Sequence, residues 1–172
     1  MGDVTYIDPA RQQMTSTEDN LSDVIHCLLI SLVNEVILLP NAAVAEVIGY
    51  IQPEPIDGSP DWFLGRITWR ERRVPLISFE IASGSGEAKE DVQQGSRIAI
   101  LNTLNGNSES PYIGIVSQSI PRLSVVKSDD VLTEEKKSTD RQSISEVVSL
   151  DGQQLIIPDI DDLESRIKNI HT

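Results

Sequence analysis

The chain has 172 residues, with 14 basic against 27 acidic side chains and a formal net charge of −13. That acidity argues against nucleic acid and anionic membrane surfaces, which are bound by Lys and Arg neutralising phosphate. The length suits one large domain or two small ones, enough to bury about 70% of the unfolded chain's surface without staples. Aromatics are scarce, so the core is expected to be built from Ile, Leu and Val.

Residues 1–22 are polar and acidic without periodicity and read as a flexible N-terminal arm, with no basic-then-apolar leader. The folded domain is expected over 23–170. Val24–Leu32 reads as a strand apolar on both faces, 33–35 as a tight turn, and Val36–Leu39 as a second strand. Cys27 lies inside the first run and reads as a small buried hydrophobe in a chain from a reducing compartment. Pro40-Asn41 stops the strand, with Asn41 able to cap a short helix over 42–48 that Gly49 closes. Val44, Val47 and Ile48 then share one helical face, and Glu46 points away from it.

Residues 50–62, with three prolines and Asp57-Gly58, read as an extended loop. Beyond them lies the largest charge anomaly of the chain. Arg66, Arg70, Arg72 and Arg73 are four arginines within eight positions of an acidic protein. Ile67 and Trp69 alternate with Arg66, Thr68 and Arg70, which places the apolar pair inward and these two arginines outward. A second strand is expected from about Arg73 to Ile81, with Pro75 at an edge or bulge because it lacks an N–H. A basic hairpin on an acidic body suits docking to an acidic partner, and a solvated arginine-rich turn is the competing reading.

Residues 83–95 form a Gly/Glu-rich loop. Arg97–Leu101 and Tyr112–Ile120 read as strands joined by a polar loop containing Asn105-Gly106, and Leu123–Lys127 as a further strand. Residues 128–142 read as a charged loop with a helical turn. Ile144–Leu150, Asp151-Gly152 and Gln153–Ile157 read as a hairpin with a two-residue turn. Asp159 caps a last helix near 159–169, with Ile160, Leu163, Ile167 and Ile170 as its apolar stripe. The chain is therefore mainly β.

Familiar catalytic constellations are missing. His26 and His171 are the only histidines, one in a strand as a core or edge side chain and one at the frayed end. No zinc spacing, nucleophile elbow, P-loop or dinucleotide fingerprint occurs. Asp129-Asp130 and Asp161-Asp162 are explained by solvation and capping. We expect no enzyme, no cofactor and no metal; a stand-alone β-barrel that binds a ligand or catalyses a reaction is the alternative.

The segment Val44-Ala45-Glu46-Val47-Ile48-Gly49-Tyr50, the proline loop, and Gly65-x-Ile67-x-x-Arg70-x-x-x-Val74-Pro75-Leu76-Ile77 together resemble the CheW family of bacterial chemosensory adaptors. The strands at 112–120 and 144–157, with Pro158-Asp159-Ile160 entering a helix, resemble the family's second half, so the likeness covers about 24–168. It implies two small SH3-like five-stranded β-barrel subdomains sharing a core. It also implies a cytoplasmic, non-catalytic adaptor that couples a chemoreceptor's cytoplasmic tip to the regulatory domain of a CheA-type histidine kinase, with no nucleic acid and no membrane insertion. By position Val44, Glu46, Gly65 and Arg70 match the family's contact residues. The chain departs where the family's Gly after the Arg is Glu71, and where Asp-Leu is Ser78-Phe79. Glu71, Arg72 and Arg73 are its own additions at the tip, where specificity can move. These departures resemble accessory, ChpC-like members of pilus-type chemosensory systems.

Overall fold

The computed structural model describes residues 24–86, 92–105, 111–134 and 141–170. The expected arm over 1–22, His171, Gly106 and the middles of the loops 83–95 and 128–142 lie outside them. Eleven strands and two helices follow in chain order among the described residues. They are β1 (Val24–Ser31), β2 (Val36–Pro40), β3 (Val44–Gly49), β4 (Phe63–Trp69), β5 (Arg72–Ile77), α1 (Phe79–Ser83), β6 (Arg97–Asn102), β7 (Tyr112–Ser117), β8 (Arg122–Lys127), β9 (Leu132–Thr133), β10 (Ile144–Leu150), β11 (Gln153–Pro158) and α2 (Ile160–Lys168).

The strands form two sheets. One has the order β8-β1-β2-β11-β10-β9 and the other β3-β6-β7-β5-β4. The first therefore has six strands rather than five, the extra one being the two-residue β9. Both sheets curl. A flat six-stranded sheet would hold its outer strands about 24 Å apart. Yet β8 and β9 are consecutive, and residues 128–131 between them span at most about 18 Å. In the second sheet the outer strands β3 and β4 are tied by side chains, as described below.

Burial explains the mainly aliphatic composition. Ile67, Trp69, Val74, Leu76, Ile98, Ile100 and Val116 fill the interior of the five-stranded sheet. Cys27, Leu29, Leu38, Val126, Val148 and Leu155 fill that of the six-stranded sheet. A third cluster between them takes Ile30, Ile37, Leu39 and Ile156 from one sheet and Phe63, Ile77, Ala99, Leu101, Ile113 and Ile115 from the other. β6 thus buries both faces, and so does the second half of β1, from Cys27 on, whereas Val24–His26 are exposed. Burial also pushes the Cys27 thiol up, as suits an inert core side chain.

Two termini follow their sequence signals closely. The Asp159 carboxylate accepts from Asp162 N–H at 2.9 Å and starts α2, whose Ile160, Leu163 and Ile167 enter the central core. Asp151 and Gly152 turn the β10–β11 hairpin with φ of 51° and 78°.

Four expectations change. The helix over 42–48 is instead a single 3-10 turn at Asn41–Ala43, uncapped by any side chain, followed by β3. Seven residues are too few to nucleate a helix alone, and the β-branched Val44, Val47 and Ile48 suit a strand with a partner, here β6. The strand expected to reach Ile81 stops at Ile77. Ser78 Oγ accepts from Ile81 N–H and starts α1, which ends at Gly84. Pro75 is in an internal strand, yet the parallel pairing of β5 with β7 begins only at Leu76, so no ladder bond needs its missing N–H. His26, expected in the core or at an edge, is exposed on the internal strand β1.

Glu80 locks the two halves together. It is buried, and its two carboxylate oxygens accept from the backbone N–H groups of Val33 (3.0 Å) and Asn34 (2.7 Å) at the β1–β2 turn. Beside it Arg141 pairs with Glu35 at 2.7 Å.

Candidate functional site

The arginine hairpin is the β4–β5 pair, and its turn is Arg70-Glu71 rather than Arg72-Arg73. Both turn residues adopt left-handed backbone, with φ of 45° and 62°. Such a two-residue turn matches the right-handed twist of the strands it joins, but favours Asn or Gly. Glu71 occupies it at a cost of about 1 kcal/mol. Glu71→Gly is therefore expected to stabilise the protein by up to about 1 kcal/mol, or about 2–4 °C in Tm for a chain of this size. A calorimetric melt checks it; an unchanged or lower Tm would mean that the glutamate side chain contributes contacts that offset its backbone strain.

Two β-bulges aim the side chains here. In β3 the register shifts between Val44 and Glu46, so Val44 pairs with Leu101 and Glu46 with Ile100. Cross-strand neighbours share a face. Val44 therefore turns to the central core while Glu46 turns to the interior side of the five-stranded sheet. The shift between Phe63 and Gly65 in β4 moves Ile67 and Trp69 onto that same interior side.

The result is a cluster across the ends of the sheet. Glu46 Oε2 accepts from Trp69 Nε1–H at 2.8 Å and pairs with Arg70 Nη2 at 2.9 Å. The Arg70 guanidinium carbon lies 4.7 Å from the Trp69 ring centroid. Trp69 is braced by Tyr112, edge to face at 4.9 Å. A flat five-stranded sheet would separate β3 from β4 by about 19 Å, so this contact closes the curl. The arginine side chain remains 69% exposed and the glutamate 37%. A pair so wet adds only about 0.2–1 kcal/mol to stability.

The other expected residues scatter around it. Arg73 pairs with Glu54 at 2.7 Å, and Glu54 exchanges two backbone hydrogen bonds with Arg66, each 2.9 Å. Gly65 lies under this strap with φ 134°. Glu71 and Arg72 are exposed. Val44 is partly buried against the central core, so its side chain is engaged in packing. The structure thus joins Glu46 to Arg70, places Glu71 and Arg72 beside them, and leaves Val44 and Gly65 in structural positions. Trp69, which its inward alternation marked only as core, contacts both Glu46 and Arg70.

An open cleft of about 550 Å³ lies elsewhere, lined by Asp57, Gly58, Ser59, Pro60, Trp62, Arg166, Asn169 and Ile170. Its one cation, Arg166, is engaged by Ala82 O (2.8 Å), Ser143 Oγ (2.6 Å) and the Trp62 ring. Among the described residues no group of three or more His, Cys, Asp or Glu could hold a metal, and no helix is long and apolar enough to cross a membrane.

Comparison with known proteins gives two findings. A family model described as the CheW-like domain matches residues 26–168. The fold is also similar to the crystal structure of the scaffolding protein TtCheW from Thermoanaerobacter tengcongensis. The TM-score is 0.66 at 19% identity, covering 84% of this chain and 90% of that one. No curated protein matches the sequence.

Proposed function

The chain belongs to the CheW-like domain family, and from that premise we propose that it is a non-catalytic scaffold adaptor of a chemosensory system. In this reading it couples the cytoplasmic tip of a chemoreceptor to the regulatory domain of a CheA-type histidine kinase, in the cytoplasm. The observation that carries the reading is Arg70. It is a mostly exposed guanidinium presented at the tip of a basic hairpin, on a chain of net charge −13, by contacts that contribute little to stability. An arginine so presented can become an interface hot spot once a partner desolvates it.

Titration calorimetry with the regulatory domain, and separately with the receptor hairpin, is the test. Saturable binding to either supports the adaptor. Binding to neither, with turnover or a small ligand found in the Trp62–Arg166 cleft, would favour the stand-alone β-barrel. The finer reading adds a type IV pilus system. It rests on Glu71 and Ser78-Phe79 standing where the family has Gly and Asp-Leu. Deletion in a piliated host is then expected to alter twitching motility and leave flagellar swimming intact.

A further inference from the structure

Trp69 sits between two charges that it can hold at once. Its indole N–H, in the ring plane, donates to Glu46 Oε2 at 2.8 Å. Its ring face lies 4.7 Å from the Arg70 guanidinium carbon. The same glutamate oxygen takes Arg70 Nη2 at 2.9 Å. One indole therefore orients both the guanidinium and its counter-ion. A leucine could do neither, and a phenylalanine only the stacking. The ring itself cannot drift, being 7% exposed and braced at 4.9 Å by Tyr112.

We infer that Trp69 is the positioning residue that pre-orders Arg70 for a carboxylate of the partner. A long arginine side chain on an exposed turn is disordered by default, and fixing it on binding costs affinity. Here that ordering precedes binding. Glu46 occupies one guanidinium nitrogen, and among the described residues no other acceptor is bonded to Arg70. The remaining N–H groups are left to solvent in a fixed fork, a geometry that suits the two oxygens of an Asp or Glu side chain. The inference rests on the adaptor reading, and names the chemistry by which the same site recognises its partner.

A double-mutant cycle on the full chain tests it, with affinity measured for the kinase regulatory domain and for the receptor hairpin. Trp69→Phe keeps the ring and loses the N–H; Trp69→Leu loses both. With Arg70 present, the first is expected to weaken binding of the Arg70-dependent partner about threefold and the second about tenfold. In an Arg70→Ala background neither should change affinity by more than about twofold. Equal losses in both backgrounds would mean that Trp69 only supports the sheet, and overturn the inference. So would no loss in either. A wild type that binds neither partner removes the adaptor reading and this inference with it. NMR relaxation of the Arg70 Nε–H group provides a readout without a partner. It is expected to report an ordered side chain in the wild type and a disordered one in Trp69→Leu; equal order in both would overturn the proposal.

Discussion

Arg70→Asp is expected to weaken the partner complex by 100-fold or more while moving the melting temperature by less than about 4 °C. The affinity term has two parts. Removing an arginine hot spot costs about 2 kcal/mol or more, which is about 30-fold. Reversing its sign then sets a carboxylate against the partner's acid, a further repulsion. The stability term is small because its parts oppose each other. The change loses an exposed ion pair worth about 0.2–1 kcal/mol and places an acid near Glu46. Against that, φ at this position is 45°, a conformation that aspartate tolerates better than arginine. The measurement is calorimetry of binding beside a thermal melt. A protein that melts many degrees lower would make the Glu46–Trp69–Arg70 cluster a structural latch first. Undiminished binding would remove Arg70 from the interface.

What the sequence concealed has a physical cause in each case. The β10–β11 hairpin and α2 were legible because their signals are local: Asp151-Gly152 at left-handed backbone, Asp159 as a cap, and a 3.6-residue stripe. β3 was misread because a bulge falsifies the period. Val44 and Val47 pair with Leu101 and Ala99, both of the central core, and the one extra residue between them stretches a spacing of two into three. Three apolar residues at 44, 47 and 48 then imitate one face of a helix. α1 was hidden because five residues hold little more than one turn, and Ser78-Phe79-Glu80-Ile81 alternates polar and apolar like the end of a strand. The basic hairpin was legible from charge alone, and the inward Ile67 and Trp69 from alternation; Arg70 escapes that alternation because it sits in the left-handed turn after β4, and Arg66 is half-buried. Their partners were not. The Glu46–Trp69 bond joins the first and last strands of a curled sheet, so it depends on a closure that no short window of sequence contains.

Gly65→Ala is expected to be the most damaging single-methyl change at this surface, and it separates structure from contact. A Cβ added at Gly65 would lie 2.2 Å from Glu54 O and 2.7 Å from Glu54 C, both backbone atoms that cannot swing aside. The approach is that close because Glu54 and Arg66 bind each other through two backbone hydrogen bonds of 2.9 Å, pressing the proline loop onto the edge of β4. Alanine must therefore break this strap and hold φ near 134° as well. Overpacking costs about 1–3 kcal/mol and the backbone strain about 1–3 kcal/mol. Together they predict a loss of about 2–6 kcal/mol, or about 4–24 °C in Tm. Arg73, held by Glu54 at 2.7 Å, would be released with the strap. Affinity per folded molecule should nevertheless fall far less than in Arg70→Asp, because Arg70, Trp69 and Glu46 lie beyond the strap and keep their mutual contacts. Thermal melts combined with binding corrected for the folded fraction read both effects. If Gly65→Ala melts like the wild type yet binds nothing, Gly65 is itself a contact point, and the close approach of Glu54 does not constrain the protein in solution.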